Sequence, residues 1–182
     1  MNCAPEFGEK KRTDSGGAVL IWLNIVRKCE KKQQNSLSKA YLAPVYDFGS
    51  KEIVAWSISQ TPDLAQQFEM LDMLIPKIPA GKYPIMHSDM GWQYQHKSYC
   101  DRLKEAGIVQ SMSRKGNCID NGATEQVFGH LKDEFFKGRK FPDFEIFKLE
   151  LNKYIIYWNT QRRQVKLKGR TPKEFRCQST VA

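Results

Sequence analysis

No C-x-x-C pair occurs anywhere in this chain of 182 residues. Its five cysteines, Cys3, Cys29, Cys100, Cys118 and Cys177, are odd in number and widely spaced, and no matching His pair accompanies them. That favours neither a zinc site nor a disulfide framework, and reduced thiols in a cytosolic protein are the simple reading. Long apolar runs are missing as well. The longest, "AVLIW" continuing to Val26, is far too short to span a bilayer. Basic residues precede it as in a secretory signal, but no small-residue cleavage site follows, so it reads as a buried strand or helix segment. Repeats and low-complexity segments are absent too, which sets aside solenoids and disordered linkers.

What is present is a globular composition with an uneven charge. Hydrophobic residues make up 41% and aromatics 12%, enough to close a core in one domain. Residues 1–110 carry 14 Lys and Arg against 12 Asp and Glu; residues 111–182 carry 15 against 8. The balance is +2 in the first part and +7 in the second, so the basic part implies a polyanionic partner, most often nucleic acid.

Orderly signals begin at Ala40. "AYLAPVYDF" and "EIVAWSISQ" are β-branched and aromatic runs joined through Gly49, a hairpin pattern. Thr61 and Pro62 signal a helix start, and Leu64, Phe68, Leu71 and Ile75 supply its buried stripe. "YPIMHS" reads as a buried strand, followed by a helix with Tyr99 and Leu103 that Gly107 stops, and "IVQSM" as another strand. Ala123, Val127, Leu131 and Phe135 mark a helix at four-residue steps, and "FEIFKLELNKYIIYWN" a further one. Thr171 and Glu174 form a capping-box pattern. Hairpin strands followed by alternating helices and strands predict a mixed α/β sheet with helices packed on it.

Asp89 stands at the carboxyl end of a predicted interior strand, the usual ligand position in α/β sheets. Asp also caps and closes turns, so the position alone leaves both readings open. Glu125 lies in the first turns of a later helix, beside its apolar stripe. Two carboxylates brought together need a cation or a shared proton, and magnesium suits an all-oxygen site. Between them runs "SMSRKGNCIDNG", in which Arg114 and Lys115 are phosphate donors, Gly116 permits close approach, and Asn117 and Asn121 can orient polar groups.

Taken together, "HSDMGWQY", "SMSRKGNCIDN" and Glu125 resemble the catalytic subunit of insertion-sequence transposases, in the retroviral-integrase-like group with Asp-Asp-Glu chemistry. That family separates its second Asp from its Glu by 35 residues, and 35 lie between Asp89 and Glu125 here. "YLAPVYD", "LKDEFF", "YIIYWNTQRR" and "KLKGRTPKEF" extend the match over about residues 40–178. The resemblance implies a ribonuclease-H-like fold and Asp89 and Glu125 as ligands of Mg²⁺ (or Mn²⁺). It further implies phosphoryl transfer at DNA (transposon ends and target), and self-association or assembly with other transposase subunits. His87 is expected to be a strand-end hydrogen-bonding residue, since this chemistry needs no histidine base.

The family's first Asp lies on its first strand, about a dozen residues before "YL". The corresponding window, "VRKCEKKQQNSLSKA", contains neither Asp nor Thr. Asn24 sits in the apolar run but is a neutral amide; Glu30 and Asp14 have the charge in the wrong surroundings; Asp47 matches a hairpin-anchoring position. Residues 1–39 therefore read as an atypical N-terminal segment from a truncated or frame-disrupted copy, without the family's DNA-recognition helices. The first strand is not identified, and residues 40–178 form the integrase-core-like domain with basic C-terminal helices. Two functions follow: a transposase catalytic core with an incomplete triad, or a noncatalytic DNA-binding or transposase-binding remnant acting as an inhibitor.

Overall fold

The computed structural model describes residues 19–22 and 25–27 as backbone, together with residues 39–113 and 127–179. Its strands are β1 (Val19–Trp22), β2 (Ile25–Arg27), β3 (Ala40–Asp47), β4 (Ile53–Ser59), β5 (Ile85–Ser88) and β6 (Val109–Met112). The helices are α1 (Leu64–Leu74), α2 (Trp92–Gln95), α3 (Lys97–Glu105), the π-helical α4 (Leu131–Phe136), α5 (Phe144–Thr160) and α6 (Pro172–Ser179).

β3 and β4 form the expected hairpin, with Leu42 opposite Ile58 and Val45 opposite Ala55. On the other edge of β3 lie both β1 and β2. Leu20 faces Asp47, Trp22 faces Val45, Ile25 faces Leu42 and Arg27 faces Ala40, a single antiparallel register shared by the two pieces. β1 then pairs in parallel with β5, and β5 with β6. Across the sheet the order is β4, β3, β1 with β2, β5, β6, antiparallel in one half and parallel in the other. The described pieces of the apolar run, Val19–Trp22 and Ile25–Arg27, are therefore strand, and they occupy the middle of the sheet. A domain beginning at Ala40 would leave that middle position empty.

Side chains alternate between two faces. On one face Ala43, Val45 and Met86 pack against Met70, Leu71 and Leu74 of α1 and Tyr99 and Leu103 of α3. On the other, Leu42, Tyr46 and Ile58 meet Leu131 and Phe135 of α4 and Phe147, Leu151, Ile155 and Trp158 of α5. The four-residue steps from Val127 through Leu131 to Phe135 are all buried, as the spacing predicts; Ala123 lies outside the described residues. Burying stripes of this size contributes about 1.5–3 kcal/mol for each large apolar side chain.

Local signals mostly hold. Glu174 Oε2 accepts from the Thr171 amide (2.9 Å) and Thr171 Oγ1 from the Glu174 amide (3.2 Å), a reciprocal capping box. Gly107 stops α3 with φ +70. The start of α1 differs from the sequence reading. Its cap is Asp63, whose carboxylate accepts from the Gln66 amide at 2.9 Å, while Thr61 Oγ1 donates to that carboxylate. A carboxylate is the stronger acceptor for the exposed first-turn amides, so the helix begins two residues later than Thr61-Pro62 suggests.

Candidate active site and its anchors

Asp89 follows β5 directly, at the carboxyl end of a strand with parallel neighbours on both sides. The register fixes its face. Tyr46, buried against the α4–α5 layer, pairs with Ile21, and Ile21 pairs with His87. His87 and, two residues on, Asp89 therefore belong to the side of the sheet that carries α4 and α5. His87 Nδ1 lies 3.0 Å from Ser111 Oγ on β6, the strand-end hydrogen bond expected of it. Its Nε2 is buried and meets no partner among the described residues.

The loop after Asp89 is closely fitted. Asp89 Oδ1 accepts from the Gly91 amide at 2.9 Å, and Ser88 Oγ donates to the Asp89 carbonyl at 3.0 Å. A Cβ built on Gly91 would lie 3.0 Å from Asp89 Oδ1, 3.0 Å from Tyr94 Cε2 and 3.1 Å from Gln93 Oε1. Any side chain here would press on all three and displace them by a few tenths of an ångström. Beyond it, the Tyr94 carbonyl accepts from Gln110 Nε2 (2.7 Å) and Cys100 Sγ (3.3 Å), tying α2 to β6 and α3. Gln93 Nε2 donates to the Pro62 carbonyl at 3.3 Å. Burial raises the Tyr94 phenol pKa, with lesser contributions from Tyr99 and the Asp89 charge, so a neutral ring backs the carboxylate. No described residue donates to Asp89 Oδ2.

Asp47 has a different task. Its Oδ1 accepts from the Gly49 amide (3.0 Å), and its Oδ2 from the Ser50 amide (3.2 Å) and Ser50 Oγ (2.6 Å). This carboxylate closes the β3–β4 turn. Glu125, Arg114, Lys115, Asn117 and Asn121 lie outside the described residues, as do Asn24, Glu30 and Asp14. Among the described residues no group of three His, Cys, Asp or Glu side chains could hold a metal ion. Asp89 by itself suits a hard divalent cation, being a charged oxygen donor, half-exposed and fixed in orientation. Gly91 is the residue holding the candidate Asp89 that sequence reasoning did not single out; a glycine two places after a strand-end Asp was the available signal.

Two integrase core domain family models match this chain, one over residues 24–118 and the other over 125–180. A transposase-like protein of Haemophilus influenzae is 44% identical over 141 residues, covering 78% of this chain and 65% of that protein. A putative transposase for insertion sequence element IS150 of Escherichia coli is also 44% identical over 141 residues, covering 78% of this chain and 50% of its own length. The chain thus spans half to two thirds of these relatives. The HTLV-2 integrase catalytic core domain, solved in complex with magnesium, superposes with a TM-score of 0.63 at 16% identity, covering 90% of this chain and 99% of that one. The fold is the expected ribonuclease-H-like one. No helix among the described residues is long and apolar enough to cross a membrane.

Proposed function

This chain belongs to the integrase core domain family, and from that premise we propose that it is the catalytic-core part of an insertion-sequence transposase, acting on DNA by phosphoryl transfer. The observation that carries the reading is Asp89, presented at the carboxyl end of the central parallel strands with one oxygen fixed by Gly91. Asp89 and Glu125 would hold Mg²⁺ or Mn²⁺. A bound divalent cation supplies the charge that stabilises the attacking and leaving oxygens of an in-line displacement.

The chain's own residues do the positioning. Gly91 and the Tyr94 wall hold the Asp89 carboxylate in one orientation, so little reorganisation is needed when charge develops nearby. Arg114 and Lys115 grip phosphates, Asn117 and Asn121 orient polar groups, and the basic second part of the chain holds the duplex. Transposon ends and target DNA are the substrates, and assembly with further transposase subunits completes the working complex. Residues 40–178 with β1 and β2 make up the core domain.

The test is metal binding and cleavage. Manganese titrated into the chain should bind weakly, and Asp89→Asn or Glu125→Gln should each abolish binding. Two recognised carboxylates give a weaker site than three, because affinity follows ligand charge and count. We therefore expect little cutting of transposon-end DNA by this chain alone, and recovery when a first-strand aspartate is supplied, with Asn24→Asp the first substitution to make. Manganese affinity unchanged in both carboxylate variants would sink the proposal.

A further inference from the structure

On the α4–α5 side of the sheet is a cavity of about 310 Å³, separate from the Asp89 loop. Tyr46, Lys51, Trp158, Arg162, Arg163 and Lys166 are among its lining residues. We propose that this basic groove is a second, noncatalytic seat for the DNA sugar–phosphate backbone. It rests on the DNA reading above and adds a location to it.

Three independent features support the groove. The first is charge. Residues 162–176 hold seven Lys and Arg against one acid, Glu174. Arg162 is held over the Trp158 indole, its Cζ 4.4 Å from the ring centre, by hydrogen bonds of 2.6–3.1 Å to Glu134. Arg163 Nη1 lies 3.7 Å from Glu174 and donates to the Gly169 carbonyl at 2.9 Å. These carboxylates orient the guanidinium groups and leave edges for a further acceptor.

The second is crowding of like charge. Lys51 has its pKa lowered, first by burial and then by the charge of Lys166, against an opposing pull from Asp47. No carboxylate lies within ion-pair distance of Lys51 among the described residues. Lys51 and Lys166 line the same cavity, and like charges sharing one cavity favour an anionic occupant.

The third is backbone conformation. The only described non-glycine residues with positive φ are Lys51 (φ 63), which lines the groove, and Lys168 (φ 56), whose amide closes a turn on the lining residue Val165. Glycine would fill either place without strain, and strain kept at a charged residue points to function. The groove also shares its face with Asp89. Tyr46 is two strands from His87, and Asp89 is two residues further on. Strand geometry then puts roughly 12 Å between the Tyr46 and Asp89 Cα atoms. At roughly 3.4 Å of rise per nucleotide, a backbone seated in the groove reaches Asp89 three or four nucleotides away.

The test uses a labelled duplex of arbitrary sequence, with affinity followed by anisotropy across salt concentrations. Lys51→Gly should raise Tm by relieving strain, yet lower DNA affinity several-fold. The double variant Lys51→Gly with Lys166→Ala should flatten the salt slope by about 0.9 per lost phosphate contact. Unchanged affinity and slope in the double variant, with salt-dependent binding intact in the parent chain, would overturn the groove and leave the DNA reading standing. A parent chain with no salt-dependent duplex binding would bring down both. If inorganic phosphate raises Tm only while Lys51 and Lys166 are present, but duplex affinity ignores them, the groove takes a small anion and the proposal fails.

Discussion

The two faces of the sheet solve the same packing problem with different materials. The α1–α3 face is largely aliphatic: Val45, Val54, Met70, Leu71, Leu74 and Leu103 close around Tyr94 and Tyr99. The α4–α5 face is aromatic, with Phe135 in ring contact with Phe136, Phe141, Phe147 and Tyr154. It is also tied by directional bonds. Asn159 Oδ1 accepts from the Ile53 amide and its Nδ2 donates to the Ile53 carbonyl, both at 2.9 Å, so a helix side chain pairs like a strand. Trp158 Nε1 donates to the Lys51 carbonyl and Trp56 Nε1 to Asn152 Oδ1. Aliphatic packing steadies the Asp89 loop from behind, whereas the aromatic face fixes the register of α5 on the sheet and carries the basic groove. The difference teaches that a loop can be backed by aliphatic burial with a few side-chain bonds to carbonyls, while the helix that carries the charged side chains is registered by bonds to both the amide and the carbonyl of one strand residue.

Breaking the aromatic face should be the most costly change. Phe135→Ala removes a fully buried ring and is expected to lose about 3–5 kcal/mol in denaturant unfolding. A loss below about 1 kcal/mol would mean that the ring cluster is not a cooperative unit. Next comes Asn159→Ala, which strands the amide and carbonyl of Ile53 and should cost about 2–3 kcal/mol. The matching change on the other face, Gln66→Ala, removes bonds to the carbonyls of Tyr41 and Ser57 only. It should cost about 1 kcal/mol, and equal losses for the pair would erase the contrast between the faces.

Gly91→Ala sharpens the comparison in another way. Its effect on stability should stay near about 1 kcal/mol, because the neighbours can give by a few tenths of an ångström. Manganese affinity should fall about tenfold as the new methyl displaces Asp89. Titration calorimetry on a folded variant that binds normally would show that the loop tolerates a side chain. The smallest effect concerns pH. Hydrogen bonds from Arg162, opposed by partial burial and helped by Tyr154, hold the Glu134 carboxyl below its usual pKa. Its stabilising contribution is then present above about pH 4.3, the unfolded value, and is lost as pH falls through the lower folded value. Glu134→Gln should therefore flatten the acid limb of a stability–pH curve slightly, the pair being partly exposed. An unchanged limb would show that this pair adds nothing on the aromatic face.

Much of the fold was legible because period and punctuation agreed. β3, β4, β5, β6, α3 and α5 all fall where alternation, four-residue stripes and stop signals put them. The sheet's middle was not legible, since "VLIW" and "IVR" are short, separated by Leu23-Asn24, and fit strand or helix equally. Only pairing with β3 and β5 decides them. The π-helical turn at Leu131–Phe136 was hidden because the steps 127, 131 and 135 satisfy an α-helix, while Phe136 also packs inward. At the hairpin, Gly49 drew attention as the permissive residue, yet the left-handed position belongs to Lys51. Lysine carries no propensity signal for that conformation, so the strain becomes visible only in coordinates. The place of Asp89 directly after β5 was readable from the strand pattern, whereas the tight fit around Gly91 depends on three neighbours' atoms.

The central place of β1 has a kinetic consequence. Its antiparallel partner β3 is near in sequence and can pair early, but its parallel partner joins Val19 to Ile85, 66 positions apart. Closing that seam carries the larger chain-entropy cost and comes late in a topology-limited search. Asp89 lies just beyond the seam. In refolding, the hairpin core should therefore gain protection from hydrogen exchange before the Gly91 amide does, and the Asp89 loop would take shape only after the parallel seam has closed.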